Sequence, residues 1–419
     1  MRRTVRARIT AAAGSAVLLL AACGGGGDEP EVGVPANADE VSGTVVFWTY
    51  PLGVIDSVNW WQPHVEEFQE EYPDVEVEVV MQSFSNREEA LITAIAGGNP
   101  PDVVYFNPDF IPQFADQDLL LPLDDLRDDW DRFYDASLAS MTWQDTLYGA
   151  PLLMQKGVNM CHTDVMEAAG VDCPTTWEEL RAAGPAVKDA GYYLTEYSGT
   201  STLNHSFYQY LWMAGGEVLT EDLSAAAFNG PEGVEALEFI QEMVENEWVP
   251  LQPISVAEQF EQSQLAQGNV LYHSGGNLPH VRSVIDPGKI VTTEPLQHRE
   301  QVAVGSVGAW SIFDTTSSPE AAQAWVHFLS EADFIEQFIA ESGYLPPRED
   351  IEGLFADDPQ VAEGIDHLDY VRTGVMHPKA REIIDVIRPH IQAALLEGQD
   401  AQVALDAAAA EVDALIARG

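Results

Sequence analysis

The feature that most constrains the fold is a regular alternation of strand and helix patterns early in the chain. Residues 44–50 are an apolar and aromatic run typical of a buried strand. Apolar residues recur at helical spacing over 61–72, and valines alternate with glutamates over 75–79. A second helical pattern at 91–95 leads into another buried strand at 102–106. This order predicts a doubly wound α/β sheet.

Ligands of open α/β sheets collect at the carboxyl ends of the strands. The first strand ends at Trp48-Thr49-Tyr50, and the third is followed by Asn107-Pro108-Asp109. These ends are therefore the first candidate binding positions, although Asp109 is equally suited to cap a helix.

A second informative stretch runs from residue 148 to 180. Leu152–Met160 is a mostly apolar run, interrupted by Gln155 and Lys156, and short enough to be one strand. A helical pattern over 162–169 ends at Gly170, and Thr175–Glu179 is typical of a capping box that opens the next helix.

In this order the stretch resembles the family 1 extracellular solute-binding proteins of ABC importers. That family shows a "YG-P" turn, a strand that crosses between lobes, an "aG" helix stop and a "P-TWeEL" helix start. The matching segments here are Tyr148–Pro151, Ala169-Gly170 and Pro174–Leu180. Further matches, which extend the resemblance over residues 44–416, are AIAGGNPPDVVYF (94–106), DLLLPLDDL (118–126) and SGYLPPR (342–348).

The resemblance implies an α/β fold of the type II periplasmic-binding-protein kind, with two hinged lobes and a ligand cleft between them. The expected crossings lie near Ala150–Leu152, Val307–Trp310 and Leu345–Arg348. The N-terminal lobe would then comprise residues 44–151 and 310–345, and the C-terminal lobe residues 152–309 and 346–419.

The N-terminus is predicted to be a lipoprotein signal peptide over residues 1–22. Four arginines precede an apolar run that is shorter than the ~20 residues needed to span a membrane. Leu20-Ala21-Ala22-Cys23 resembles a lipobox, so Cys23 is the expected lipidated residue, and residues 23–43 are an expected flexible tether. An ordinary secretory signal with an incidental cysteine is the alternative.

The charge balance excludes some partners. Without residues 1–22 the chain has 15 basic and 68 acidic residues, because four of its 19 Lys and Arg are removed, and the formal net charge is 15 − 68 = −53. Such a chain repels nucleic acid and anionic lipid. The spread of acid along the whole chain also suggests a salt-rich setting, where screening removes self-repulsion.

Only Cys161 and Cys173 remain after Cys23. An even pair in an exported protein favours a disulfide, with two free buried thiols as the alternative.

Sugars bind by stacking on aromatic rings and by hydrogen bonding to planar polar side chains, in pockets between domains. We therefore expect binding residues among the aromatic, amide and acidic side chains at strand ends, at the crossings and in the aromatic segment 192–212. The candidates are Trp48, Tyr50, Asn107, Asp109, Gln155, Tyr197, Tyr208, Trp212, Gly276, Asn277, Trp310 and Tyr344. Core packing is the alternative role for each aromatic residue.

A phosphorylated ligand is an alternative. Gly275-Gly276-Asn277 would present backbone N–H groups to an anion, and residues 274–282 resemble the corresponding loop of glycerol-3-phosphate-binding proteins. Arg282 or Arg348 would then contact the phosphate.

An enzyme is the alternative from another class, with a glycoside hydrolase as the example. The sequence has neither G-x-S-x-G nor H-E-x-x-H, and its histidines are scattered, so binding without catalysis, cofactor or metal is expected. The resemblance implies a monomer that delivers a sugar to the transmembrane subunits of an ABC permease. The sequence has no Walker A motif, so the energy for transport would come from another subunit.

Overall fold

The computed structural model describes residues 38–200, 203–256, 260–276 and 278–418. The strands in these ranges are β1 (Gly43–Thr49), β2 (Val75–Met81), β3 (Val103–Phe106), β4 (Thr142–Trp143), β5 (Thr146–Leu147), β6 (Ala150–Lys156), β7 (Val158–His162), β8 (Tyr272–Gly275), β9 (Ile290–Thr292), β10 (Ala303–Ile312) and β11 (Val371–Arg372). The helices are α1 (Gln62–Glu71), α2 (Arg87–Ala96), α3 (Ile111–Ala115), α4 (Asp135–Ala139), α5 (Thr163–Ala169), α6 (Trp177–Asp189), α7 (Phe207–Met213), α8 (Pro231–Glu245), α9 (Gln252–Ser255), α10 (Leu278–Val284), α11 (Pro319–Leu329), α12 (Ala332–Ser342), α13 (Pro359–Ile365), α14 (Ala380–Glu397) and α15 (Ala401–Ile416).

In the described ranges the first sheet has six strands, five in the order β2-β1-β3-β10-β11, and β6, which also pairs with β10. β1 is parallel to both β2 and β3, whereas β10 is antiparallel to β3 and to β6. The predicted α/β class with parallel strands joined by helices is confirmed. The second sheet is antiparallel, in the order β8-β7-β9.

Each sheet contributes to its own hydrophobic core. In the first core the Phe47 ring lies edge-on to Trp61, Trp310 and Trp325, with ring centroids 5.0, 4.8 and 5.6 Å away. In the second core Trp177 stacks between Phe239 and the ring of His298. A third, smaller cluster packs the second sheet against α10 and includes Val158, Met160 and Ile290.

The predicted single strand 152–160 is two strands, because the chain is interrupted at Gly157. Its N–H donates to the carbonyl of Val304 at 2.7 Å, and a Cβ at this position would lie 2.9 Å from the Cα of Gly275. β6 therefore stays beside β10, while β7 joins the second sheet. The segment at Leu345 lies beside β6, because Met154 and Leu345 exchange two backbone hydrogen bonds, at 2.8 and 2.9 Å.

Some residues near the expected lobe limits pack against the core of the other lobe. Leu152, Leu153 and Met154 belong to the first core, although the expected boundary falls at residue 151. Hydrophobic residues within 351–371 also pack on the first core, and the C-terminal contribution to the second core begins at Val375. The exact division into lobes remains a prediction.

Local signals in the second lobe are confirmed. α5 ends at Gly170, whose φ of 67° is left-handed, as expected of a helix-terminating glycine. Thr176 caps α6 by accepting from the N–H of Glu179, whose carboxylate accepts from the N–H of Thr175. The bonded cysteines Cys161 and Cys173 connect β7 to the segment before α6.

Two absences hold for the part of the chain that the structure describes. None of its helices is both long and apolar enough to cross a membrane. The same residues contain no group of three His, Cys, Asp or Glu side chains arranged to hold a metal ion.

Candidate binding cleft

The largest cavities among those found lie where the carboxyl end of β3 faces α14. The first, which we call the cleft, has a volume of about 670 Å³. One wall comes from Asn107 and Asp109 after β3, the floor from Gly305 and Ser306 in β10, and the opposite wall from residues 373–388. The cleft is thus formed by both lobes and by a strand that connects them, as expected of an interlobe ligand site.

The first wall is held rigid by a buried guanidinium. Arg87 is only 9% exposed, and burial lowers its pKa from the usual value. It donates to Oδ1 of Asn107 at 2.8 Å and lies 4.0 Å above the Phe110 ring. The amide of Asn107 donates in turn to Oγ of Ser306 and to the carbonyl of Val307, each at 3.2 Å. The end of β3 is therefore fixed to β10.

An ion pair crosses the cleft between the lobes. Arg381, in the first turn of α14, lies 2.8 Å from Oδ2 of Asp109 and 3.4 Å from Oε2 of Glu88. Its side chain is 44% exposed, so this contact is open to solvent. Asp109 does not cap the short 3₁₀ helix Pro108–Phe110, because it lies within the helix and Asn107 occupies the N-cap position. Its carboxylate accepts from Arg381.

The lining of the cleft is polar and carries more acid than base. It includes the carboxylates of Glu88, Asp109, Glu382 and Asp385 and the guanidinium groups of Arg381 and Arg388. Asp385 pairs with Arg388 at 3.0 Å. Such a surface suits a neutral ligand with many hydroxyl groups, which accepts from guanidinium groups and donates to carboxylates.

A second cavity of about 590 Å³, which we call the side cavity, adjoins the cleft. Glu88 and Arg381 line both cavities. Phe84, in the 3₁₀ turn before α2, lines the side cavity and is 44% exposed.

Of the candidates predicted from the sequence, Asn107 and Asp109 line the cleft. Tyr50 lies behind its wall, fully buried and stacked on Phe84 at 4.8 Å, and burial outweighs the nearby Arg87 charge in raising its pKa to about 12. Gly276 is exposed at the end of β8 with a φ of 64°. Asn277 and Cys23 lie outside the described residues.

The remaining candidates lie elsewhere. Gln155 and Tyr344 line a narrow cavity of about 40 Å³ on the opposite edge of β6. Trp212 is 1% exposed and faces another cavity, with Arg372 4.8 Å above its ring. Trp48 is partly buried against the first core.

Trp310, Tyr197 and Tyr208 are core residues in the structure, not cleft residues. Trp310 has no exposed surface and packs on Phe47, and the two tyrosines are buried in the second core. The cause is geometric: a side chain near a loop still packs inward when its strand or helix face is covered.

The two arginines expected to contact a phosphate already have carboxylate partners within the protein. Arg348 is 3% exposed and bonded to Asp129 and Asp350, while Arg282 donates to Asp358 and Gln360. Neither guanidinium faces the cleft.

Sequence reasoning missed Arg381, Glu88, Ser306 and Phe84. One signal for Arg381 was available, since a cation in the first turn of a helix is opposed by the helix dipole and so indicates a partner elsewhere. Phe84 is an aromatic residue in a turn between a strand and a helix, which also indicates exposure.

Fold and cleft together define a two-lobe ligand-binding protein. The family model described as "Bacterial extracellular solute-binding protein" matches residues 54–334. The chain belongs to this family of solute-binding proteins, and the resemblance seen in the sequence is confirmed.

Several known proteins are similar over nearly the whole chain. A binding protein of Brucella abortus is 22% identical over 91% of this chain and 94% of its own. The sugar-binding protein MalE of Xanthomonas citri is 21% identical, with a TM-score of 0.78 over 90% of this chain and 98% of that chain. The cyclic alpha-maltosyl-1,6-maltose binding protein of Arthrobacter globiformis is 22% identical, with a TM-score of 0.78 over 90% and 100%. These structural likenesses show the fold.

Proposed function

We propose that this protein captures a neutral sugar in the cleft and delivers it to the permease of an ABC importer. The observation that carries the proposal is the cleft itself, an interlobe cavity of about 670 Å³ lined by carboxylates, guanidinium groups and amides. The sugar-binding names of the two structural neighbours support the same ligand class.

The binding residues we propose are Asn107, Asp109, Ser306 and Arg381. Asn107 is held in place by Arg87, and Asp109 and Arg381 face each other from the two lobes. A hydroxyl placed between Asp109 and Arg381 would donate to the carboxylate and accept from the guanidinium, and so would connect the lobes. Binding would then favour the closed form of a hinge formed by β6, β10 and Leu345.

The cell-surface setting is part of the proposal. Ala38–Glu40 form a 3₁₀ helix, Val41 is buried in the first core and Gly43 begins β1, so the expected tether 23–43 is too long at its C-terminal end. We propose that Cys23 carries a lipid anchor, that a tether lies between it and residue 38, and that the protein is a monomer in a salt-rich medium. The acidic composition and the lipobox-like residues 20–23 support this setting. Mass spectrometry of the membrane fraction would detect a diacylglyceryl group on Cys23, and an unmodified cysteine would contradict it.

A thermal-shift screen of residues 28–419 in molar salt tests the ligand class. We expect a mono- or oligosaccharide to raise the unfolding midpoint, because a ligand that binds only the native state stabilises it. Polyols and glycerol-3-phosphate serve as comparison ligands. A rise with glycerol-3-phosphate alone would contradict the sugar proposal, and release of dye from chromogenic glycosides would contradict binding without catalysis.

A further inference from the structure

The side cavity contains an exposed aromatic ring beside polar groups. Phe84 is 44% exposed, although solvent exposure of a large apolar side chain gains nothing for folding. Asn86, Glu89 and Thr93 line the same cavity. An aromatic face next to planar polar side chains is the combination that sugar rings require.

The ring of Phe84 is firmly supported from below. It stacks on Tyr50, with ring centroids 4.8 Å apart and planes 25° apart, and Tyr50 is completely buried. The buried guanidinium of Arg87 lies 5.4 Å from the centre of the Phe84 ring. A fixed ring loses little conformational entropy when a ligand stacks on it, which favours binding.

The side cavity adjoins the cleft. Glu88 and Arg381 line both, and their side chains approach to 3.4 Å at the junction. A ligand that fills the cleft beside Arg381 would therefore extend past this ion pair towards Phe84. With volumes of about 670 and 590 Å³, each cavity is within the range of roughly 300–1,000 Å³ typical of small-molecule pockets.

We propose that Phe84 is the stacking surface of a second sugar subsite, so that the preferred ligand is an oligosaccharide that reaches from the cleft into the side cavity. This inference rests on the proposed sugar-binding function. It assigns the ligand a minimum length, because a ligand that contacts both Asp109 in the cleft and Phe84 in the side cavity needs more than one ring. Arg381 and Glu88 then contact the linkage region between the two subsites.

The test is calorimetric titration with malto-, cello-, laminari- and xylo-oligosaccharides of one to four units. For the wild-type chain we expect the affinity to rise with length in at least one series. Phe84→Ala should weaken binding of the longer sugars about tenfold, while the affinity for the shortest bound sugar stays unchanged. Phe84→Trp, which keeps an aromatic face, should retain the gain.

Tyr370→Ala is the matched control, because Tyr370 is also an exposed aromatic, at 40%, and lines neither cavity. It should leave the length dependence unchanged, and an unaltered unfolding midpoint of Phe84→Ala would show that this variant is folded.

The two proposals fail differently. A wild-type chain that binds no sugar of any series would contradict the proposed function. A wild-type chain that binds sugars without gaining affinity with length, or a gain that survives Phe84→Ala, would overturn the subsite alone.

Discussion

Two arginine sites in this protein use the same ion-pair chemistry in opposite surroundings. Arg127 and Arg348 are 5% and 3% exposed and share Asp129 within the first lobe. Arg381 is 44% exposed and reaches from α14 to Asp109 on the other side of the cleft. The buried site connects segments of one lobe, whereas the exposed site joins opposite walls of the cleft.

The difference follows from solvation. Breaking a buried pair leaves a charge without compensation in a medium of low polarity, which is strongly destabilising. An exposed pair exchanges protein contacts for water at little cost, typically below about 1 kcal/mol. An exposed contact is therefore suited to break and form again when a ligand enters.

The largest expected effect is on folding stability. Arg348→Ala should lower the free energy of unfolding by about 2 kcal/mol, because Asp129 and Asp350 lose a charged donor and the carbonyl of Ser330 loses a buried hydrogen bond. Urea unfolding monitored by tryptophan fluorescence measures it. Arg381→Ala is the control, with an expected loss below about 1 kcal/mol. Equal losses in the two variants would contradict the distinction between the sites.

The second effect is on ligand affinity. Arg381→Ala should weaken sugar binding about tenfold, or about 1.4 kcal/mol, since a hydroxyl loses its guanidinium donor. Calorimetric titration measures this change. Arg372→Ala is a suitable control, because Arg372 is a similarly exposed arginine at 38% that pairs with Glu217 outside the cleft. If both variants bind sugar like the wild type, Arg381 is not a binding residue.

A third effect is on the pH dependence of stability. Burial by itself would raise the pKa of Asp129, but hydrogen bonds and charge from Arg127 and Arg348 outweigh it and lower the pKa to about 2. A depressed folded-state pKa adds stability that is complete above the ordinary value near 3.8 and is lost as the pH falls towards 2. Allowing for its solvent exposure, we expect about 1 kcal/mol from this group.

Denaturant unfolding between pH 5 and pH 2 measures this contribution. Asp129→Asn removes the titrating group. The difference in free energy of unfolding between wild type and variant should therefore shrink as the pH falls from 5 to 2. A constant difference would show that Asp129 does not titrate with a depressed pKa.

The smallest effect concerns salt. The coupling between Arg381 and Asp109, measured by a double-mutant cycle, should fall from a few tenths of a kcal/mol at low salt towards zero in molar salt, where the Debye length is about 3 Å. The coupling between Arg348 and Asp129 should change less, because Arg348 is buried. Salt should also raise the stability of the whole acidic chain, and the cycle cancels that general effect.

Arg348 and Arg381 each have a partner from a distant part of the sequence. Arg348 ends the family-like segment 342–348 and was a candidate for a phosphate contact, yet it donates to Asp129, more than two hundred residues away in the chain. Arg381 belongs to no motif, but folding places it opposite Asp109. Neither pairing can be predicted from spacing, because both partners come from distant segments.

The sequence by itself determined the elements and their order. Periodicity predicted β1, α1, β2, α2 and β3, and capping residues predicted where α5 ends and α6 begins, because these signals depend on neighbours within a few residues. The ends of β1 and β3 indicated one edge of the sheet, and Asn107 and Asp109 after β3 line the cleft, whereas Trp48 and Tyr50 do not.

The tertiary structure alone decided which aromatic rings are exposed. β10 carries Trp310 into the core, whereas Phe84 stacks on Tyr50 and stays exposed. It also divided residues 152–160 into two strands at Gly157, where backbones approach too closely for a side chain. Burial and interlobe contact depend on what covers each face, and that covering comes from parts of the chain that are remote in sequence.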